Sequence, residues 1–181
     1  MRIVNLQKKY TDVVRPELKR QFSYKNIMQV PRVQKVVLNV GFGRQAKDKN
    51  VVEGVERTLS TITGQKPIRN KAKKSISNFK IRQGMEIGAS VTLRGKNMYE
   101  FLYKLIHLTL PRVRDFRGLN PDSFDRGGNY TIGFKESYAF PEMEADSNDL
   151  LHGVELSICT SAKSKEEAKA LLQALGIPFR T

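Results

Sequence analysis

Two runs, Arg32–Val40 and Ile87–Arg94, alternate apolar and polar residues with a period of two, and this restricts the fold more than any other feature of the chain. In the first, Val36, Leu38 and Val40 point one way while Lys35, Val37 and Asn39 point the other. In the second, Ile87, Ala89, Val91 and Leu93 face inward while Ser90, Thr92 and Arg94 face outward. Strands of this kind belong to a sheet with one buried face. Tyr130–Phe134 and Val154–Thr160 alternate in the same way, and a short strand is expected near Ile68.

The segments between them carry helical periods. Residues 5–22 place Leu6, Tyr10, Val13 or Val14 and Leu18 on one side, with a kink or a fresh helix start at Pro16. Asp48 caps a helix striped by Val51, Val55, Leu59 and Ile62 and closed by Gly64. A third helix spans 97–110, with Met98, Phe101, Leu102 and Leu105 on its core side and a stop at Pro111. Residues 111–128 read as irregular. Ser164 and Glu167 form a capping box for a last helix striped by Ala168, Leu171, Leu172 and Leu175 and ended by Gly176 and Pro178. At 181 residues the expectation is one domain of α+β class. Its architecture is a single-layer, largely antiparallel sheet with helices packed on one face and the other face open.

Charge says what the open face is for. The formal net charge is +14, and it is uneven: residues 1–140 hold 28 basic and 11 acidic groups, a net of +17, while residues 141–181 hold 4 and 7, a net of −3. From Arg57 to Met85 there are eight Lys or Arg and no Asp or Glu, and seven of the eight fall in Lys66–Arg82. Like charges at this density call for a polyanion, although a solvated, solubilising loop has the same composition. Interleaved Ile76, Phe79 and Ile81 favour binding over mere solubility. Phe79 either stacks on a nucleotide or tucks against its own loop, the second being the expectation.

An outward sheet face of Lys35, Asn39, Ser90, Thr92 and Arg94 suits RNA backbone and 2′-hydroxyl groups, though antiparallel sheets often leave a wet face with no ligand. It carries no aromatic stacking platform, so recognition rests on hydrogen bonding and shape. Membrane spanning is excluded, because apolar runs such as Leu105–Leu110 are far short of twenty residues. Residues 1–5 lack the apolar stretch of a secretory signal, and a lone Cys159 forms no internal disulfide, which together indicate the cytoplasm. His107, His152 and Cys159 lack metal-ligand spacing, so neither metal nor cofactor is expected. Two rivals stay open: a nuclease using Asp115, Asp122 and Asp125, which otherwise read as turn residues, and a peripheral membrane protein using Lys66–Arg82, although Pro67 and Gly84 give that stretch loop character.

Several motifs together resemble a known family. They are Met28-Gln29-Val30-Pro31-Arg32, Thr63-Gly64-Gln65-Lys66-Pro67, Lys71-Ala72-Lys73-Lys74-Ser75 and Phe79-Lys80-Ile81-Arg82-Gln83-Gly84. Val91-Thr92-Leu93-Arg94-Gly95, Pro111-Arg112-Val113-Arg114-Asp115-Phe116-Arg117-Gly118-Leu119 and the ending Pro178-Phe179-Arg180 complete the set. In order and spacing the whole chain resembles bacterial large-subunit ribosomal protein five, a 5S rRNA-binding family without enzymatic activity.

The resemblance implies that the open face holds 5S rRNA, with hydrogen bonds from residues matching Asn39, Gln65 and Thr92. The rRNA set is then Lys35, Asn39, Gln65, Lys66, Ser90, Thr92 and Arg94. It implies contact with 23S rRNA in the central protuberance, a monomer within the large ribosomal subunit, and a bridge to small-subunit ribosomal protein thirteen. The excursion 71–84 is implied to reach peptidyl-site tRNA with Lys71, Lys73, Lys74, Ser75, Ser77, Asn78, Phe79, Lys80 and Arg82. Two departures stand out: Asn70 where the family commonly has Thr, and Asp125-Arg126-Gly127-Gly128 where Asp-Gly-Arg-Gly is usual.

Overall fold

Alternation in the sequence becomes alternation of burial. The computed structural model describes residues 5–46, 48–143 and 152–180. In chain order the elements are a segmented helix α1 (Leu6–Lys9, π-helical Tyr10–Val14, Arg15–Gln21), β1 (Val33–Gly41), α2 (Lys49–Thr63), β2 (Ile68–Lys71) and β3 (Glu86–Leu93). After these come a segmented helix α3 (Gly95–Lys104, π-helical Leu105–Thr109, Leu110–Arg112), β4 (Tyr130–Phe134), β5 (Val154–Thr160) and α4 (Lys165–Leu175). The strands form one antiparallel open sheet in the order β2-β3-β1-β5-β4, which with four helices makes an α+β fold. Val36, Leu38 and Val40 on β1, and Ala89, Val91 and Leu93 on β3, are buried, while Lys35, Val37 and Asn39, and Ser90 and Thr92, are exposed or half-buried.

Pro16 stands in the first turn of the α-helical segment Arg15–Gln21, one of the two outcomes expected there, whereas Pro111 does not stop its helix. Pro16 and Pro111 each stand two residues after a five-residue π-helical segment. Those segments close with Arg15 N–H donating to the Tyr10 carbonyl and Leu110 N–H to the Leu105 carbonyl. A proline ring collides with the carbonyl four residues back and offers no N–H. The wider π turn shifts the hydrogen-bond frame ahead of it, so the helix carries through. Hence α3 reaches Arg112 rather than stopping at Pro111.

Contacts divide the chain into two units of interleaved segments. The first takes in residues up to 36, 93–132 and from 157 onward. Its core is the apolar stripes of α1, α3 and α4: Leu6, Val14 and Leu18 with Met98, Leu102 and Leu105, and Leu171, Leu172 and Leu175. Lys9 Nζ donates to the Leu175 carbonyl at 3.0 Å, tying α1 to the end of α4. The Ser164 hydroxyl caps α4 through Glu167 N–H, but the Glu167 carboxylate bonds Lys163 N–H at 2.8 Å, a residue beyond the expected box. The tail is stitched down by Leu119 N–H to the Pro178 carbonyl and Arg180 N–H to the Leu119 carbonyl. Gly118, at φ +99°, has no room for a Cβ, which would fall 2.6 Å from Arg180 N.

The second unit comprises residues 37–92 and 133–156. Asp48 caps α2 by accepting Asn50 N–H at 3.0 Å, and Gly64 ends it in the left-handed conformation, as expected. Val51, Val55, Leu59 and Ile62 are buried, making the predicted stripe this unit's helical core. Gly88 lets β3 approach β1: a Cβ there would fall 2.9 Å from the Val40 carbonyl oxygen. Of the acidic excess in residues 141–181, Glu144, Asp146 and Asp149 lie outside the described residues.

Candidate nucleic-acid interface

On the second unit, β3 presents half-buried Ser90 and exposed Thr92 on its outward parity. The β2 register sets Ile68 opposite Ser90 and Asn70 opposite Gly88, so both share that face. Asn70 Nδ2 lies 3.1 Å from Ser90 Oγ, and Ser90 Oγ lies 3.3 Å from Asn70 Oδ1. The departure from the family pattern at Asn70 thus forms a cross-strand amide–hydroxyl pair. On β1, half-buried Asn39 donates from Nδ2 to Glu155 Oε2 at 3.1 Å. Glu155 stands exposed between buried Val154 and Leu156 on β5. Sequence reasoning missed Ile68, Asn70 and Glu155. Parity on β5 could have found Glu155, whereas the β2 register had no sequence signal.

Gln65 and Lys66 follow the Gly64 turn and are exposed. Gln65 N–H donates to the Thr63 hydroxyl at 3.3 Å, which fixes the turn. Lys35 and Arg94, the other two members of the predicted rRNA set, belong to the first unit. Lys35 is half-buried on β1, on the parity of Asn39. β3 closes at Leu93, so Arg94 is no strand residue; it is the N-cap of α3.

Residues 71–84 form a closed hairpin rather than an open loop. Ala72 N–H donates to the Met85 carbonyl at 2.8 Å, and Gly84 N–H to the Ala72 carbonyl at 2.9 Å. Further out, Ile76 and Ile81 exchange both backbone bonds, at 2.9 and 3.1 Å. A 3₁₀ turn over Ser77–Phe79 and left-handed Lys80 (φ +54°) make the tip. The Ser75 hydroxyl accepts Gln83 N–H at 2.9 Å. Lys71, Lys73, Lys74, Ser75, Ser77, Asn78, Phe79, Lys80 and Arg82 are all exposed. Phe79 does not tuck in as expected: it is 70% exposed, because closure at Ile76–Ile81 turns the tip outward. Ala72 is buried and Ile81 half-buried, with Ile81 Cδ1 lying 4.0 Å from where a Cβ on Gly43 would sit.

One cation of the acid-free window is already committed. Glu56 and Glu86, each one residue outside Arg57–Met85, both reach Arg69. Its Nη2 lies 2.7 Å from Glu56 Oε2 and its Nη1 3.1 Å from Glu86 Oε2, binding α2 to β2 and β3. Hydrogen bonds that Arg69 donates to Glu56, then the charge of Glu56 and the same from Glu86, raise the guanidinium pKa, and Arg69 serves as a strut between these elements. The hairpin beyond it keeps five cations, Lys71, Lys73, Lys74, Lys80 and Arg82, with no acid among them.

The carboxylates of 111–128 are turn chemistry where they are engaged. Asp125 accepts Asn129 Nδ2 at 2.8 Å and Asn129 N–H at 2.7 Å, and these bonds hold its carboxyl below the usual range. Asp115 adopts left-handed φ (+52°) and, like Asp122, is exposed. Among the described residues no group of three or more His, Cys, Asp or Glu is placed to hold a metal ion. No helix among them is long and apolar enough to cross a membrane.

Two family models cover most of the chain: "Ribosomal protein L5" matches residues 26–82, and the model of the same ribosomal family's C-terminus matches residues 86–179. Curated relatives are similar over nearly their whole length. The large ribosomal subunit protein uL5 of Thermus aquaticus is 55% identical over 98% of this chain and 97% of its own. That of Halothermothrix orenii is 54% identical over 96% and 97%. The Thermosipho africanus protein is 51% identical over 99% of each.

Proposed function

Because the chain belongs to the ribosomal protein L5 family, and so is a structural, non-enzymatic protein of the large ribosomal subunit with rRNA as its partner, we propose that it binds 5S rRNA. The binding surface is the outward sheet face with the adjoining Gln65–Lys66 turn. One observation carries this reading: Asn39, Ser90 and Thr92 stand on the outward parity, each flanked along its strand by buried residues, Leu38 and Val40, Ala89 and Val91, and Val91 and Leu93. They offer short donors and acceptors to backbone and 2′-hydroxyl groups without an aromatic platform. The chain acts as one rRNA-binding domain, monomeric within the ribosome. It contacts 23S rRNA in the central protuberance and shares a bridge with small-subunit ribosomal protein thirteen.

The hairpin of residues 71–84 is the arm for peptidyl-site tRNA. Five exposed cations on a closed, narrow support suit a phosphate backbone reached at a distance from the sheet. Exposed Phe79 adds a surface on which a base can stack. As a constituent of the bacterial large subunit, the protein works in the cytoplasm.

The test is selective recovery. The purified chain, immobilised and offered total cellular RNA, is expected to retain 5S rRNA far above its share. Retention of RNA in proportion to abundance would overturn the 5S reading.

A further inference from the structure

The first unit holds a cleft of about 460 Å³ where α1, the start of β1 and the first turn of α3 meet. Its floor is closed: Tyr10, Met98 and Tyr99 are buried, with the two tyrosine rings 6.3 Å apart. The Tyr10 hydroxyl donates to the Pro31 carbonyl at 3.0 Å. The rim is polar and one-signed. Gln7, Arg32, Gln34 and Arg94 line it and are exposed. Among the described residues no carboxylate pairs with either arginine.

We propose that this cleft is a second RNA contact, seating a phosphodiester of the ribosomal RNA backbone between Arg32 and Arg94. Three features converge on that chemistry. Two guanidinium groups present planar forks that match phosphate oxygens in bidentate fashion. The N-terminus of α3 opens into the same cleft: Arg94 provides no side-chain cap and the first turn holds no acidic residue. The first intrahelical bond runs from Met98 N–H to the Arg94 carbonyl, so the amide of Gly95, which lines the cleft, has no helix partner. Gly95 adopts φ +57° and has open space where a Cβ would stand. Helix dipole and arginines therefore add with the same sign. The cleft is larger than a lone anion needs, and Gln7 and Gln34 supply amides for the sugars beside the phosphate.

The inference rests on the family reading in taking rRNA as the partner. It goes beyond it in giving the first unit a site of its own, independent of the Asn39–Thr92 face.

The test uses the full chain, with 5S rRNA and 23S rRNA as separate probes across a salt series. The variants are Arg32→Gln with Arg94→Gln, and Arg32→Lys with Arg94→Lys. Losing the one seated phosphate lowers the slope of log K against log salt by about 0.9 on at least one RNA. The glutamine pair is expected to show that drop with roughly tenfold or greater loss of affinity at low salt. The lysine pair keeps the charge and recovers most of the slope, but not the affinity that the forks supply. A glutamine pair matching wild type in slope and affinity on both RNAs, while wild type binds steeply, overturns the cleft alone. A wild type that binds neither RNA overturns the family-based reading, and the cleft with it. The Gly95 amide resonance separates the sources: it shifts with RNA if the proposal holds. A shift with inorganic phosphate or with an acidic peptide, but not with RNA, overturns it.

Discussion

On the sheet face of the second unit, the polar side chains are tied to one another. Asn70 pairs with Ser90 and Asn39 with Glu155, each at about 3.1 Å. In the hairpin of residues 71–84 the cationic side chains stand free in solvent, and what is tied down is the backbone, through Ala72, Ile76, Ile81 and Gly84. The first surface holds side chains in fixed directions, which suits recognition by hydrogen bonds of definite geometry. The second holds exposed charges on a hydrogen-bonded stem, which suits a long-range, salt-sensitive hold on phosphate. The difference teaches that a charge count finds an exposed basic hairpin, while strand parity finds a polar sheet face; on the reading proposed above these are the arm and the reading surface.

The sharpest way to break this comparison is to put a negative charge on the face. Thr92→Glu sets a carboxylate toward phosphate; like-charge juxtaposition costs several kcal/mol, so 5S rRNA affinity in filter binding should fall by roughly 30-fold or more. Peptidyl-site tRNA contact in reconstituted subunits should be kept. Next in size, Lys73→Ala with Lys74→Ala should weaken that tRNA contact by roughly tenfold while leaving 5S affinity within about twofold. Equal loss in both assays would mean that the two surfaces are one. Thr92→Ala or Asn39→Ala removes a hydrogen-bonding group worth about 1 kcal/mol, roughly fivefold in 5S affinity, with an unchanged thermal midpoint. A variant that binds normally takes that residue off the interface.

The smallest effect is the most informative about the face. Glu155 is exposed, negative and engaged with Asn39. Glu155→Gln keeps an acceptor for Asn39 and removes the charge, so 5S affinity should rise by about twofold to fivefold, with the gain shrinking as salt rises. Weaker binding would instead make Glu155 a direct acceptor for a base amino group or 2′-hydroxyl.

Much of this was legible because it depends on local period. Outward Asn39, Ser90 and Thr92 follow from alternation with buried Leu38, Ala89 and Val91, and the ends of α2 follow from Asp48 and Gly64. What stayed hidden depends on geometry that period does not encode. Pro111 read as a stop because nothing in the residues before it announces a π turn. Arg69 read as one more free cation because its partners, Glu56 and Glu86, sit just outside the acid-free window and return only through the fold. Phe79 read as tucked because backbone closure at Ile76–Ile81 has no signature among the charges. Arg94 read as the last strand residue, whereas β3 ends at Leu93 and Arg94, still extended, is the N-cap of α3 and lines the cleft there.

The separation of the two surfaces is tested most directly by 5S rRNA binding across a salt series, for wild type and for a hairpin in which Lys73, Lys74, Lys80 and Arg82 are all changed to Gln. With about 6–10 phosphate contacts, wild-type affinity should drop roughly 10³–10⁵-fold between about 50 and 200 mM salt. The neutralised hairpin should follow the same curve within about twofold, because the proposed division assigns its charges to another RNA. A flat wild-type response, or a variant whose slope falls by about four contacts' worth, would contradict the division between reading face and reaching arm.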